Sequence, residues 1–179
     1  MGDIKGDQSE TRTAFFYGTL MEPQVFYSVC YSNKDPSEDI KKRHTFHPAI
    51  LHGYSRRRVR HAAYPGMTEE AGHSVRGALV TGITRANLEL LDYFEGSSYD
   101  RRVVRPKLLA HVGDDKGEGN VEGEQVITES YVYLDKESLE DKEWDFEEFR
   151  REKLKTWTRA GYVFEDCDPG DVATVSAGV

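Results

Sequence analysis

The chain is poor in cysteine, in basic residues relative to acidic ones, and in long apolar runs. Of 179 residues only Cys30 and Cys167 are cysteines, far apart in sequence. Two such thiols make no disulfide framework and fit a reducing compartment. Lys and Arg number 24 against 32 Asp and Glu, a formal net charge of −8. Nucleic acid and anionic membrane surfaces both select for a basic face, so neither is expected as the main partner. No apolar run approaches the ~18 residues of a membrane-spanning helix. The N-terminal MGDIKGDQSETRT has no apolar core of a signal peptide. Gly6 stands where a myristoylation signal needs Ser or Thr. The expectation is one soluble cytoplasmic domain with a small-molecule ligand. Hydrophobic residues are 37% and charged residues 31%, the balance of a folded, well-solvated chain.

What is present is a set of short strands with few helices. AFFYGTLMEP (14–23) runs apolar β-formers into a glycine and stops. PQVFYSVCYS (23–32) starts a helix at its proline. Residues 33–48 are charged and irregular and are expected to form an exposed insertion. Residues 49–66 alternate as one or two strands closing on Tyr64-Pro65-Gly66. Residues 73–83 form a strand. TRANLELLDYFEG (84–96) has a threonine N-cap, Leu88, Leu91 and Tyr93-Phe94 at helical spacing, and a terminating Gly96. Residues 99–112 and 126–135 are strands around an acidic glycine-rich loop (113–125). EWDFEEFRREKLKTW (143–157) is an amphipathic helix. The fold class expected is α+β: a small mixed, mostly antiparallel curved sheet or β-barrel with flanking helices. The expected divisions are a disordered leader (1–12), one domain (13–158) and a C-terminal tail (159–179).

Two local features point to chemistry. Tyr17-Gly18-Thr19-Leu20 is a poor surface turn, because such turns favour Asn, Asp and Pro. Backbone N–H groups exposed after a strand can instead hold a carboxylate or an oxyanion. Glu95 sits at a helix C-terminus, where the dipole disfavours an acid, between aromatic neighbours and Gly96. Burial by both Tyr93 and Phe94 would raise its pKa toward the range of a general acid or base. Asp92 shares its helical face and reads as ordinary surface charge. Arg56, Arg58 and Arg60 share a strand face and read as solvated. His44 and His47 lack a third ligand at metal-site spacing, so no metal is expected.

Tyr-Gly-Thr-Leu after a strand, a mid-chain Tyr-Pro-Gly turn, and Glu-Gly-x-x-Tyr-x-Arg after a Leu-Asp helix together resemble the γ-glutamylcyclotransferase superfamily. The nearest branch is that of the AIG2-like and γ-glutamylamine cyclotransferase proteins. The resemblance spans residues 13–158, and the Trp-x-Phe-Glu-Glu helix is similar to the tail of plant AIG2-like proteins. It implies an enzyme that closes a γ-glutamyl group into 5-oxoproline and releases an amine, without metal or organic cofactor. It implies Glu95 as the catalytic acid/base, and Tyr17, Gly18, Thr19 and Leu20 as the substrate loop. Tyr99 and Arg101 match residues that would orient Glu95 or substrate, or that serve as strand residues satisfying a neighbour. Tyr64 would line the pocket mouth or belong to a structural turn. The alternative is a non-catalytic module holding a γ-glutamyl-like ligand or a protein partner.

Overall fold

The computed structural model describes residues 10–157. Strand β1 (Arg12–Phe16) leads through a 3₁₀ turn (Thr19–Met21) to α1 (Pro23–Tyr31), α2 (Glu38–Lys41) and the long hairpin of β2 (Phe46–Val59) and β3 (Pro65–Ile83). Helix α3 (Arg85–Glu95) follows, then β4 (Tyr99–Val104), β5 (Lys107–His111), β6 (Val121–Gln125) and β7 (Thr128–Tyr133). A 3₁₀ turn (Lys136–Ser138), β8 (Leu139–Glu143), α4 (Phe146–Glu152) and α5 (Leu154–Trp157) complete the described chain. The expected leader and tail lie almost wholly outside the described residues. No described helix is long and apolar enough to cross a membrane.

Every strand pairing is antiparallel. Six strands form one sheet in the order β1-β3-β2-β5-β6, with β8 also on β2, and β4 pairs β7 in a second sheet. The α+β, curved-sheet expectation holds. The β2–β3 hairpin is its spine. Its register slips between His52 and Tyr54, beside Gly53 and opposite Gly72, both at positive φ. Along β2 the outer partner changes: Ala49 and Ile50 pair β5, whereas Arg57 and Val59 pair β8.

Strand β1 is buried on both faces. Its period of two sends Phe16 into a cluster with Phe26, Ile83, Leu91 and Phe149, and Phe15 into another with Leu51, Met67, Val75 and Val132. The second sheet is tied to β1 by side chains: Ser130 donates to the Phe15 carbonyl (2.7 Å), and Thr13 and Thr128 share a hydroxyl bond (2.7 Å). These bonds fix β7 beside β1, which brings the end of β1 close to the residues following α3.

Several boundaries differ from the sequence expectation. Strand β3 begins at Pro65, so Tyr64 ends the hairpin connection while Pro65 and Gly66 already belong to the strand. The expected 99–112 strand is two strands in different sheets, broken at Pro106, which cannot donate to a ladder. The acidic loop ends in β6, and the 33–48 insertion contains α2 and the start of β2. Within that insertion His44 is buried, its ring bonded to the Tyr31 hydroxyl (2.6 Å) and the Thr81 carbonyl (3.1 Å), a packing role for that half of the histidine pair. Helix α3 has the expected Thr84 cap, closed reciprocally by the buried Asn87 side chain.

Gly82 has φ +72, and a Cβ there would lie 1.8 Å from the Arg43 carbonyl oxygen. A Gly82→Ala substitution combines left-handed strain with a backbone clash. It should destabilise the fold by about 2–5 kcal/mol, read as a fall in Tm and denaturant midpoint.

Candidate active site

Strand β1 runs out into Tyr17 and Gly18, and Gly18 packs against the start of β3. A Cβ on Gly18 would lie 2.9 Å from Pro65 Cγ, so only glycine lets the loop pack there. Its φ of −119° is open to any residue, and the demand is for space. The 3₁₀ turn that follows begins with N–H groups that a helix leaves without internal partners. Among the described residues nothing accepts the N–H of Gly18, Thr19 or Leu20.

Opposite this loop stands Glu95, the last residue of α3. Between them opens a cleft of about 420 Å³ including its mouth, lined by Phe15, Phe16, Tyr17, Gly18, Thr19, Leu20, Tyr64, Pro65, Phe94, Glu95, Tyr99, Tyr131 and Trp157. The walls are largely aromatic. Trp157 packs edge-on to Phe94 (6.1 Å), Phe149 (5.4 Å) and Tyr64 (6.4 Å), which builds one wall from the C-terminal helices.

Among the described residues Glu95 carries the only carboxyl that lines the cleft, and no Lys, Arg or His lines it. Burial raises its pKa from 4.5 to about 8, with the negative charge of Asp92 adding to the effect. No hydrogen bond or cation offsets this among the described residues. The surrounding hydroxyls are tied back to the fold. Tyr99 donates to the Pro65 carbonyl (2.7 Å), Tyr17 to the Tyr131 carbonyl (2.7 Å), and Tyr131 to Asp92 (2.7 Å). Burial, and then neighbouring acidic groups, push the Tyr17 and Tyr99 pKa values well up, so both stay neutral.

A family model described as γ-glutamyl cyclotransferase, AIG2-like, matches residues 14–151. The chain belongs to this AIG2-like γ-glutamyl cyclotransferase family. Among its relatives in Arabidopsis thaliana, AIG2-like protein C is 31% identical over 151 residues, covering 84% of this chain and 76% of that protein. Protein AIG2 C is 29% identical over 142 residues, covering 79% and 73%. The solution structure of an Arabidopsis thaliana protein superposes with a TM-score of 0.54 at 28% identity, over 83% of this chain and 78% of that one. A solved γ-glutamyl cyclotransferase shares the fold, with a TM-score of 0.51 at 14% identity over 93% and 94% of the two chains.

Within this AIG2-like chain, Tyr17, Gly18, Thr19, Leu20, Tyr64, Glu95 and Tyr99 line a single cleft although the sequence scatters them. Arg101 does not line it. Its side chain pairs Glu129 (2.8 Å) and Asp92 (3.4 Å), one turn of α3 from Glu95. Asp92 is a surface charge as expected, its side chain 44% exposed, and Arg101 and Tyr131 hold it at the rim, one turn of α3 from Glu95. Tyr93 is 71% exposed, so the burial of Glu95 is due to Phe94 and the β1 loop and not to both aromatic neighbours. Arg56 is likewise not solvated: its side chain is 11% exposed and donates to the Tyr17 carbonyl (2.9 Å). That bond spans 39 residues and leaves no local signature.

A pKa raised from 4.5 to about 8 means that the folded state binds the Glu95 proton more tightly than the unfolded chain. Glu95 therefore costs the fold nothing below the ordinary carboxyl range and costs progressively more as pH climbs toward 8. Glutamine mimics the protonated form at every pH. Glu95→Gln should stabilise this family member by about 2–4 kcal/mol near pH 8.5, at ~1.4 kcal/mol per tenfold change in proton affinity and with a discount for water at the mouth. The gain should vanish near pH 4.5, where the unfolded carboxyl also begins to protonate. Parallel thermal melts at the two pH values test the sign.

Proposed function

We propose that this chain cyclises a γ-glutamyl compound to 5-oxoproline and releases the amine attached to the γ-carbonyl, with Glu95 as general acid and base. The observation that carries the reading is a carboxyl of raised pKa, with no offsetting hydrogen bond or cation among the described residues, in one aromatic cleft with a loop whose N–H groups have no acceptor among those residues. A carboxyl held neutral by burial ionises when a cation comes beside it. The substrate's α-ammonium is that cation. The carboxylate then takes a proton from it, and the freed amine attacks the γ-carbonyl carbon to close a five-membered ring.

Negative charge builds on the γ-carbonyl oxygen, and N–H groups of the Tyr17–Leu20 loop are the natural acceptors of that charge. Two protons leave the attacking nitrogen, and both end on the leaving amine. One carboxylate alternating between its forms can relay each in turn. The ring forms within one substrate molecule, so the cleft has only to hold the amine against the carbonyl. The aromatic lining excludes water that would otherwise compete as nucleophile.

Release of 5-oxoproline from γ-glutamyl dipeptides, glutathione and γ-glutamyl-ε-lysine tests this directly. Wild-type protein should yield product from at least one, and Glu95→Gln should lose about 10²–10⁴-fold in kcat. Product unaffected by the substitution would sink the mechanism. No product from any compound would favour the same cleft as a binding pocket without turnover.

The pH dependence is a separate check. In kcat/KM, which reports the free protein, activity should rise with an acid limb near 8, the pKa of the empty site. In kcat the limb should move to lower pH, because the bound ammonium favours the ionised carboxyl. Coincident limbs in the two profiles would argue against an ammonium beside Glu95.

A further inference from the structure

Arg56 lies behind the substrate loop and takes no part in the cleft lining. One guanidinium nitrogen donates to two main-chain carbonyls, Tyr17 on the β1 side (2.9 Å) and Arg76 in β3 (3.2 Å). The second terminal nitrogen donates to the Glu143 carboxylate at 3.2 Å. Its planar head stacks over Trp144, 5.5 Å from the ring centroid, and the Trp144 indole is itself anchored on the Ala63 carbonyl (2.9 Å). The last β1–β3 register pair is Phe16 with Ala78. Arg56 thus begins where the ladder stops and closes the open end of it with a side chain.

The Tyr17–Gly18 peptide is trans and planar, so its carbonyl and its N–H point in opposite directions. The Tyr17 carbonyl is bonded to Arg56, which lies outside the cleft lining, so the Gly18 N–H points to the opposite side of the peptide plane. Nothing local enforces this choice. A peptide flip rotates the bonds on either side of the plane, and glycine at position 18 accepts nearly any φ. The residue that lets the loop pack on Pro65 also removes the intrinsic barrier to the wrong orientation. An external hold is required, and a buried cation on the carbonyl supplies it.

We propose that Arg56 is a positioning residue for the reaction: it holds the Tyr17 carbonyl behind β1 so that the Gly18 N–H faces the γ-carbonyl oxygen of the substrate. This rests on the cyclotransferase reading of the cleft. Without Arg56 the carbonyl is left buried without its cation and turns toward the cleft, the nearest space with water. There its negative end faces the oxygen on which charge develops, so the loss falls on the transition state and not on binding.

The test compares wild type with Arg56→Met, Arg56→Lys and Glu143→Gln, in turnover and in crystal structures. Arg56→Met should lose about 10²-fold or more in kcat with KM changed only a few-fold. Arg56→Lys should fall between, because an ammonium keeps the charge but lacks the second nitrogen that Glu143 holds and the planar head that lies over Trp144. Glu143→Gln removes the outer ion pair, leaves both carbonyl bonds, and should keep the parent rate. In the Arg56→Lys crystal structure the Tyr17 carbonyl should be turned into the cleft in part or all of the molecules.

Unchanged kcat in a folded Arg56→Met protein overturns the proposal. So does a Tyr17 carbonyl that keeps its place in the variant, whatever the rates. If Arg56→Met does not fold, Arg56→Lys decides by the same two readings. If wild type releases no 5-oxoproline, the cyclotransferase reading fails on its own, and the peptide orientation in the crystals judges whether Arg56 sets it.

Discussion

Burial of β1 on both faces is the constraint on which the rest of the structure depends. A strand flanked by sheet on one side and helices on the other must be apolar at successive positions, and Phe15 and Phe16 meet that demand in opposite clusters. Because β1 is central in this sense, whatever follows it emerges in the interior and not at the surface. The loop at 17–20 is held between β3, α3 and β7, with its polar backbone facing a sheltered space. A strand exposed on one face would have delivered the same four residues to open water, where their N–H groups would be hydrated and indifferent to a ligand.

The second sheet reaches β1 through hydroxyl groups and not through a backbone ladder. Ser130, Thr13 with Thr128, and Tyr17 to the Tyr131 carbonyl join the two layers. This arrangement brings Tyr131 beside Asp92 and sets α3's final turn over the end of β1. Electrostatics then follow from placement. Arg101 and Tyr131 partner Asp92 at the rim, whereas Glu95, one turn on, has no such help. Two carboxyls on one helix face thus occupy different environments, and burial shifts the proton affinity of the inner one toward neutrality.

Much of this was legible in the sequence, for identifiable reasons. Strand β1 and α3 announce themselves through an apolar run ending at glycine and through a threonine cap with helical spacing. The resemblance to the γ-glutamylcyclotransferases named Tyr17 to Leu20, Tyr64, Glu95 and Tyr99, which share one cleft. What escaped was set by long-range contact. Tyr93 fits the helical pattern yet points outward, because only one of two adjacent helix positions can face the core. Arg56 reads as one of a solvated basic run, since its partners are main-chain atoms of distant strands and an indole on a segment 88 residues away. Trp157 reads as apolar helix content, and only its packing on Phe94 and Tyr64 shows it to be a wall of the cleft.

Glu95 is the terminal residue of α3, followed at once by Gly96 at φ +74. The ends of helices open at far lower free energy than their centres. The carboxyl therefore belongs to the part of the helix that lets go first, while its neighbour Leu91 sits in the part that lets go last. Heat would disperse the cleft before it melts the sheet. Loss of the site's shape is then expected as a local opening at a lower temperature than unfolding of the sheet.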